Sequence, residues 1–108
     1  MNGRRQKGAR QGLIYFVQPQ GVDVVKIGFT SRPIERRLKT FQVFCWTALV
    51  LLHVTPGTEA DEDRLHDRFQ HLHIRGEWFR AEVDLLAHIH AAKQNAQPLA
   101  DAPDLEFE

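Results

Sequence analysis

Two charged side chains fall where apolar ones are expected, and both have the chemistry to meet a phosphate. Arg37 lies three residues after Ile34 and four before Phe41. At helical pitch it leans onto the stripe Ile34, Leu38 and Phe41, while Arg36 is turned about 100° away. A planar guanidinium held there can bind two phosphoryl oxygens and meet charge that grows during phosphoryl transfer. The plainer reading is an aliphatic stem covering the core edge with its head in water. Glu62 precedes Leu65 by three residues and Phe69 by seven, which puts a carboxylate on the apolar stripe of a second helix. Such a group needs water at the helix start, a partner such as Arg37, or a hard divalent cation that prefers oxygen ligands. Asp61, Asp63 and Asp67 lie on other faces and read as solvated.

Periodicity supplies the elements that must hold these residues. LIYFVQ (13–18) is β-branched and aromatic, and Gly21 with Asp23 gives turn chemistry before VVKIG, so the two runs form a hairpin. Thr30 or Ser31 then caps a helix whose first turn tolerates Pro33. TALVLLHV (47–54) is short and continuously apolar, as a central strand covered on both faces would be. Pro56-Gly57 turns the chain, and Thr58 caps the next helix with Asp61 at the capping-box position. Leu65, Phe69 and Leu72 form that helix's stripe. After Gly76, EWF leads into a last helix packed through Val83, Leu86 and Ile89 or His90. The expected order is strand, strand, helix, strand, helix, helix, over residues 13–92. A basic tail at 1–12 and an acidic tail at 93–108 flank it, both read as flexible.

Composition excludes several classes. With 108 residues and 43% apolar content the chain supports one domain with a modest core. No apolar run is long enough for a membrane span or signal peptide, so the expected location is cytoplasmic with no membrane partner. The lone Cys45 rules out an intrachain disulfide framework and a thiolate-dominated zinc site; between Phe44 and Trp46 it reads as a buried thiol. The six histidines show no clean metal-site spacing, although His66 stands one turn after Glu62. Zero net charge hides a split: residues 1–40 carry nine Lys/Arg against two acids, and residues 41–108 carry five against twelve. A basic face suits a polyanion, and a merely solvated surface suits the same count.

LIY at 13–15, KIGFT at 26–30, RRL at 36–38, ExxLHxxF at 62–69 and GEWF at 76–79, in that order, resemble the GIY-YIG nuclease superfamily. They are most similar to its phage- and bacterial-associated branch, whose second motif reads KIG. The resemblance covers about residues 13–90. It implies a compact α/β domain with a small antiparallel sheet, here three-stranded, flanked by helices. It also implies metal-dependent hydrolysis of DNA phosphodiester bonds, with Mg²⁺ as cofactor and Mn²⁺ as a substitute.

By that resemblance Tyr15 sits at the scissile phosphate and assists the attacking water, Arg37 (or Arg36, given a one-residue spacing difference) is the arginine, and Glu62 is the metal ligand. Glu59, one turn earlier, is the alternative glutamate. Lys26 stands where the more familiar motif has a second tyrosine; an ammonium there attracts phosphate or lowers the pKa of Tyr15, and an outward strand lysine is the plain alternative. His66 either orients a catalytic group or is a packed histidine with one bonded nitrogen. Glu77 caps the following helix or touches a cation, with the structural role ranked first. DNA is expected along Arg32, Arg36 and Lys39, with Arg4, Arg5, Lys7 and Arg10 adding charge from the amino terminus. RNA stays open as the nucleic acid. Two other readings stand beside the nuclease: a catalytically weak or inactive DNA-binding module with this fold, and a protein-interaction scaffold using the EWF segment.

Overall fold

The computed structural model describes residues 10–95, so Arg4, Arg5, Lys7 and most of both expected tails lie outside the described residues. The elements in chain order are β1 (Gln11–Pro19), β2 (Val24–Thr30), α1 (Ile34–Val43), β3 (Leu49–Thr58), α2 (Glu59–Arg68), a 3₁₀ turn (Gln70–Leu72), β4 (His73–Arg75), β5 (Trp78–Arg80) and α3 (Val83–Asn95). The strands form one antiparallel sheet in the order β3-β1-β2-β5-β4. Among the described residues no helix is long and apolar enough to cross a membrane.

The β1–β2 hairpin turns through Gly21 at φ 80°, a conformation glycine adopts without steric cost. Its register sorts the two faces. Ile14 opposes Phe29 and Phe16 opposes Ile27, and these four join Val25, Phe79, Phe69, Leu72, Leu85 and Ile89 in the core beneath α2 and α3. Each such large side chain contributes about 1.5–3 kcal/mol on burial. The other face carries Tyr15 opposite Gly28 and Val17 opposite Lys26, and the Phe41 ring of α1 lies 6.0 Å from that of Tyr15.

The fold corrects four expectations, two in the sheet and two in the helices. The sheet has five strands, not three, because His73–Arg75 and Trp78–Arg80 pair with each other and with β2. Three-residue strands are too short to show an alternating pattern. Leu49–Thr58 is an edge strand rather than a central one: it pairs with β1, carries no strand on its other side among the described residues, and leaves Val50 and Leu51 exposed. It also continues through Pro56 and Gly57, and an edge is where a strand tolerates proline's missing N–H. In α3 the buried pair is Leu85 and Ile89, while Val83 is 82% exposed and Leu86 partly so. Apolar residues at 83, 85, 86 and 89 permit either helical phase. Finally, α1 begins after Pro33 with no side-chain cap, and Thr30 Oγ1 instead accepts the N–H of Arg32 at 3.0 Å. The α2 start is as expected: Thr58 accepts from the N–H of Asp61, and Asp61 accepts the Thr58 N–H at 2.8 Å.

Candidate active site

Tyr15 is fully buried, and its ring crosses the sheet over Gly28 of β2, where a Cβ would collide with the phenol oxygen and ring. The glycine of KIG is therefore required by the tyrosine of LIY, directly opposite in register, more than by any turn. Gly28→Ala is expected to cost about 1–3 kcal/mol, as overpacking does, and to lower Tm accordingly. An unchanged Tm would mean that the ring has room to move.

The Tyr15 hydroxyl and Arg37 Nε are both buried, and neither has a hydrogen-bond partner among the described residues. Burial pushes the Tyr15 hydroxyl up to about 12; the neighbouring Arg37 guanidinium pulls it back in part, and Glu77 and Glu62 add to the rise. A phenol, a guanidinium and two carboxylates thus share one locality. Arg37 also lies over the Phe41 ring, its Cζ 5.3 Å from the centroid, while Arg36 is exposed. Adjacent positions on α1 thus give the two arginines different environments, Arg37 half-buried and Arg36 in water.

The carboxylates come from two elements. Glu62 sits in the first turn of α2, and Glu77 immediately precedes β5 with its carbonyl accepting the Ile27 N–H at 2.9 Å. Lys26 Nζ lies 3.1 Å from Glu77 Oε1, 4.6 Å from the Phe41 centroid and 5.3 Å from that of Trp78. The Lys26 side chain is 14% exposed, so it is neither outward-pointing nor free; its ammonium is the counter-ion of Glu77. His66 Nε2 lies 3.0 Å from the Ile27 carbonyl, which can only accept, so this nitrogen carries the proton; Glu62 Oε2 lies farther off at 3.4 Å. The His66 ring meets Phe79 edge-on at 4.8 Å. The histidine therefore ties α2 to β2 and fixes the turn that carries Glu62.

Two cavities open on the cationic side. One of about 440 Å³ is lined by Arg32, Arg36, Arg37, Lys39 and Thr40. The other, about 220 Å³, brings Arg10, Arg32 and Arg37 around Thr30 and Ser31, with Glu59 on its wall. Glu59 thus faces the arginines, whereas the acid that acts most on Glu62 is Glu77, with Asp63 and Glu59 adding less. The structure gathers Tyr15, Lys26, Arg37, Glu62 and His66 about the middle of β2, and Arg10, Arg32, Arg36 and Lys39 along the neighbouring cavities.

A family model described as the T5orf172 domain matches residues 12–94, most of the chain and every element above. The chain belongs to the T5orf172 family. T5orf172 domains occur together with GIY-YIG nuclease domains, so the family is linked to nucleases. Comparisons with curated proteins and with solved structures gave no match.

Within this T5orf172 domain the residue that sequence reasoning undervalued is Glu77. GEWF was the available signal, but the carboxylate's position depends on β5, a strand too short to recognise beforehand. Burial first, and the Glu77 carboxylate second, push the Glu62 carboxyl from 4.5 up to about 7. A folded pKa above the unfolded one means that the folded state holds the proton more tightly. The resulting stability is present below about pH 4.5 and is lost as pH rises through about 7. In EDTA, Glu62→Gln is therefore expected to raise Tm at pH 8, by several degrees if the partly exposed site yields about 1 kcal/mol, with parent and variant converging near pH 4.5. A Tm gap independent of pH would show that Glu62 titrates normally.

Proposed function

We propose that this T5orf172 domain is a GIY-YIG-like endonuclease that hydrolyses DNA phosphodiester bonds with the help of a divalent cation. The observation that carries the reading is the buried, unpartnered Tyr15 hydroxyl beside an equally unpartnered Arg37 Nε, with Glu62 and Glu77 close by. Buried polar groups without partners are costly, and such groups are expected where a ligand completes them.

The donor set fits a hard cation. Glu62, whose proton affinity burial and the Glu77 carboxylate raise, and Glu77, which Lys26 pairs, gain from a doubly charged ion between them. No group of three or more His, Cys, Asp or Glu that could hold a metal occurs among the described residues. Glu62 and Glu77 would therefore supply two protein oxygens, leaving the remaining positions to water and substrate phosphate, as Mg²⁺ commonly has. Mg²⁺ or Mn²⁺ bound there would offset negative charge developing on the phosphate and the departing oxygen.

The chain's own groups do the rest. Arg37 donates to a nonbridging phosphate oxygen, where its planar fork gains as charge builds. Tyr15, neutral at physiological pH, orients the attacking water through its hydroxyl. Lys26 holds Glu77 and adds positive charge at the phosphate's flank. His66 acts by position, fixing α2 through the Ile27 carbonyl. Arg10, Arg32, Arg36 and Lys39 hold the backbone without reading sequence.

The test is plasmid cleavage by purified protein in Mg²⁺, Mn²⁺ or EDTA, with Glu62→Gln as control. Nicking or linearisation that needs the cation and disappears in the variant is expected. DNA binding without cleavage in either metal would leave a binding module in place of a nuclease.

A further inference from the structure

The segment after α1 sets aromatic rings in water. Phe44 and Trp46 are each 86% exposed and Val43 is 76% exposed. This corrects the expectation of a buried Cys45 thiol: Cys45 is only half-buried, and the Phe44 and Trp46 side chains beside it stand in water. The exposure does not come from a slack loop. Gln42 donates from Nε2 to the Thr47 carbonyl at 2.8 Å and accepts the Leu49 N–H on Oε1 at 2.9 Å. The N–H groups of Phe44 and Cys45 donate back to Phe41 and Gln42, and Thr47 Oγ1 donates to the Gln20 carbonyl at 3.2 Å. The fold fixes the backbone so that the rings stand out.

Beside them lies a cavity of about 300 Å³ lined by Lys26, Phe41, Phe44, Cys45, Leu49 and Trp78. Phe41 is its shared wall with the candidate active site, for the same ring approaches Tyr15, Arg37 and Lys26. An aromatic slot thus opens one side chain away from the proposed phosphate position, with an ammonium at its edge and the cations of α1 beyond.

We propose that this slot and the Phe44 and Trp46 rings bind an unpaired base next to the scissile phosphate, so that the substrate class is DNA with an extrahelical or single-stranded nucleotide. The inference rests on the nuclease reading for its nucleic acid and goes beyond it in the substrate's structure. The surrounding charge selects the occupant: apolar rings with Lys26 in the slot's wall and Arg36, Arg37 and Lys39 on α1, the helix that also supplies Phe41, suit a ligand that is anionic along its backbone and flat and apolar in its side groups. A paired duplex hides its base faces in the stack, so the rings can use those faces only where pairing is interrupted.

The experiment uses the full chain carrying Glu62→Gln in EDTA, so that binding is read without cleavage. Labelled DNA of one length is supplied as blunt duplex, as the same duplex with a one-base bulge, and as single strand. The protein is expected to bind the bulged or single-stranded DNA about ten-fold or more tightly than the duplex, the scale of a base–aromatic stack, with quenching of tryptophan fluorescence. Phe44→Ala with Trp46→Ala should remove that preference while leaving duplex affinity unchanged, and two such exposed residues leave the fold intact. Equal affinity for all three DNAs, or a preference that survives the double substitution, overturns the proposal. So does concentration-dependent self-association in sedimentation that the double variant abolishes with DNA binding untouched, since the rings would then be a protein contact. Failure of the nuclease reading looks different: the parent chain cleaves nothing in Mg²⁺ or Mn²⁺, whatever the binding preference.

Discussion

On the proposed nuclease reading, Arg37→Ala is expected to lower the single-turnover cleavage rate about 10²-fold or more while nucleic-acid affinity falls only a few-fold. Arg36→Ala should do the reverse. The two arginines are adjacent in sequence and differ in what surrounds them: Arg36 is exposed on the groove with Arg32 and Lys39, whereas Arg37 has a buried Nε and lies over Phe41. Groove cations substitute for one another in holding a backbone, because phosphate contacts are distributed and screened by salt. No other cation among the described residues shares Arg37's position beside the Tyr15 hydroxyl. Its loss therefore removes an interaction that strengthens in the transition state, which lowers the rate more than the binding. A folded Arg37→Ala protein that cuts at the parent rate, beside an Arg36→Ala protein that does not, would transfer the role by one residue.

What the sequence made legible was whatever depends on local repetition. The helical spacing of Ile34, Arg37, Leu38 and Phe41 was enough to turn Arg37 toward the sheet, and the spacing of Glu62, Leu65 and Phe69 placed Glu62 in partial burial. The β1–β2 hairpin and the Thr58–Asp61 capping box were readable for the same reason. Long-range partners were not. Glu77 meets Lys26 and Glu62 only because β5 pairs with β2, and a strand of three residues carries no period. The apolar run of β3 identified a strand but could not place it at the sheet's edge, since pairing partners decide that. The apolar neighbours of Cys45 suggest a buried thiol, yet the Gln42 hydrogen bonds to Thr47 and Leu49 hold that segment outward. In each case the missing information was a contact between residues distant in sequence or held by a side chain with no periodic signature.

Tyr15→Phe separates stability from function most cleanly. Removing a hydroxyl that is buried and unpartnered takes away a desolvation cost of about 1–3 kcal/mol, and the phenylalanine ring still fits over Gly28. The variant is therefore expected to melt at the same temperature as the parent or several degrees higher in the absence of metal and substrate. Its cleavage rate is expected to fall about 10²-fold or more, the usual worth of a positioned proton-handling group. Because burial holds the phenol neutral up to about pH 12, the proposed nuclease reading assigns a rise in the parent's rate between pH 6 and 8 to Glu62, pushed up to about 7, and to the cation it is proposed to hold. That rise should persist in Arg37→Ala at a lower level, since neither carboxylate is altered. A Tyr15→Phe protein that is less stable and cuts normally would make the hydroxyl a structural group with a partner of its own, and would take Tyr15 out of the site. A more stable protein with lost cleavage would mean that the hydroxyl is kept at a cost to folding, in a place where only a substrate phosphate or its attacking water completes it.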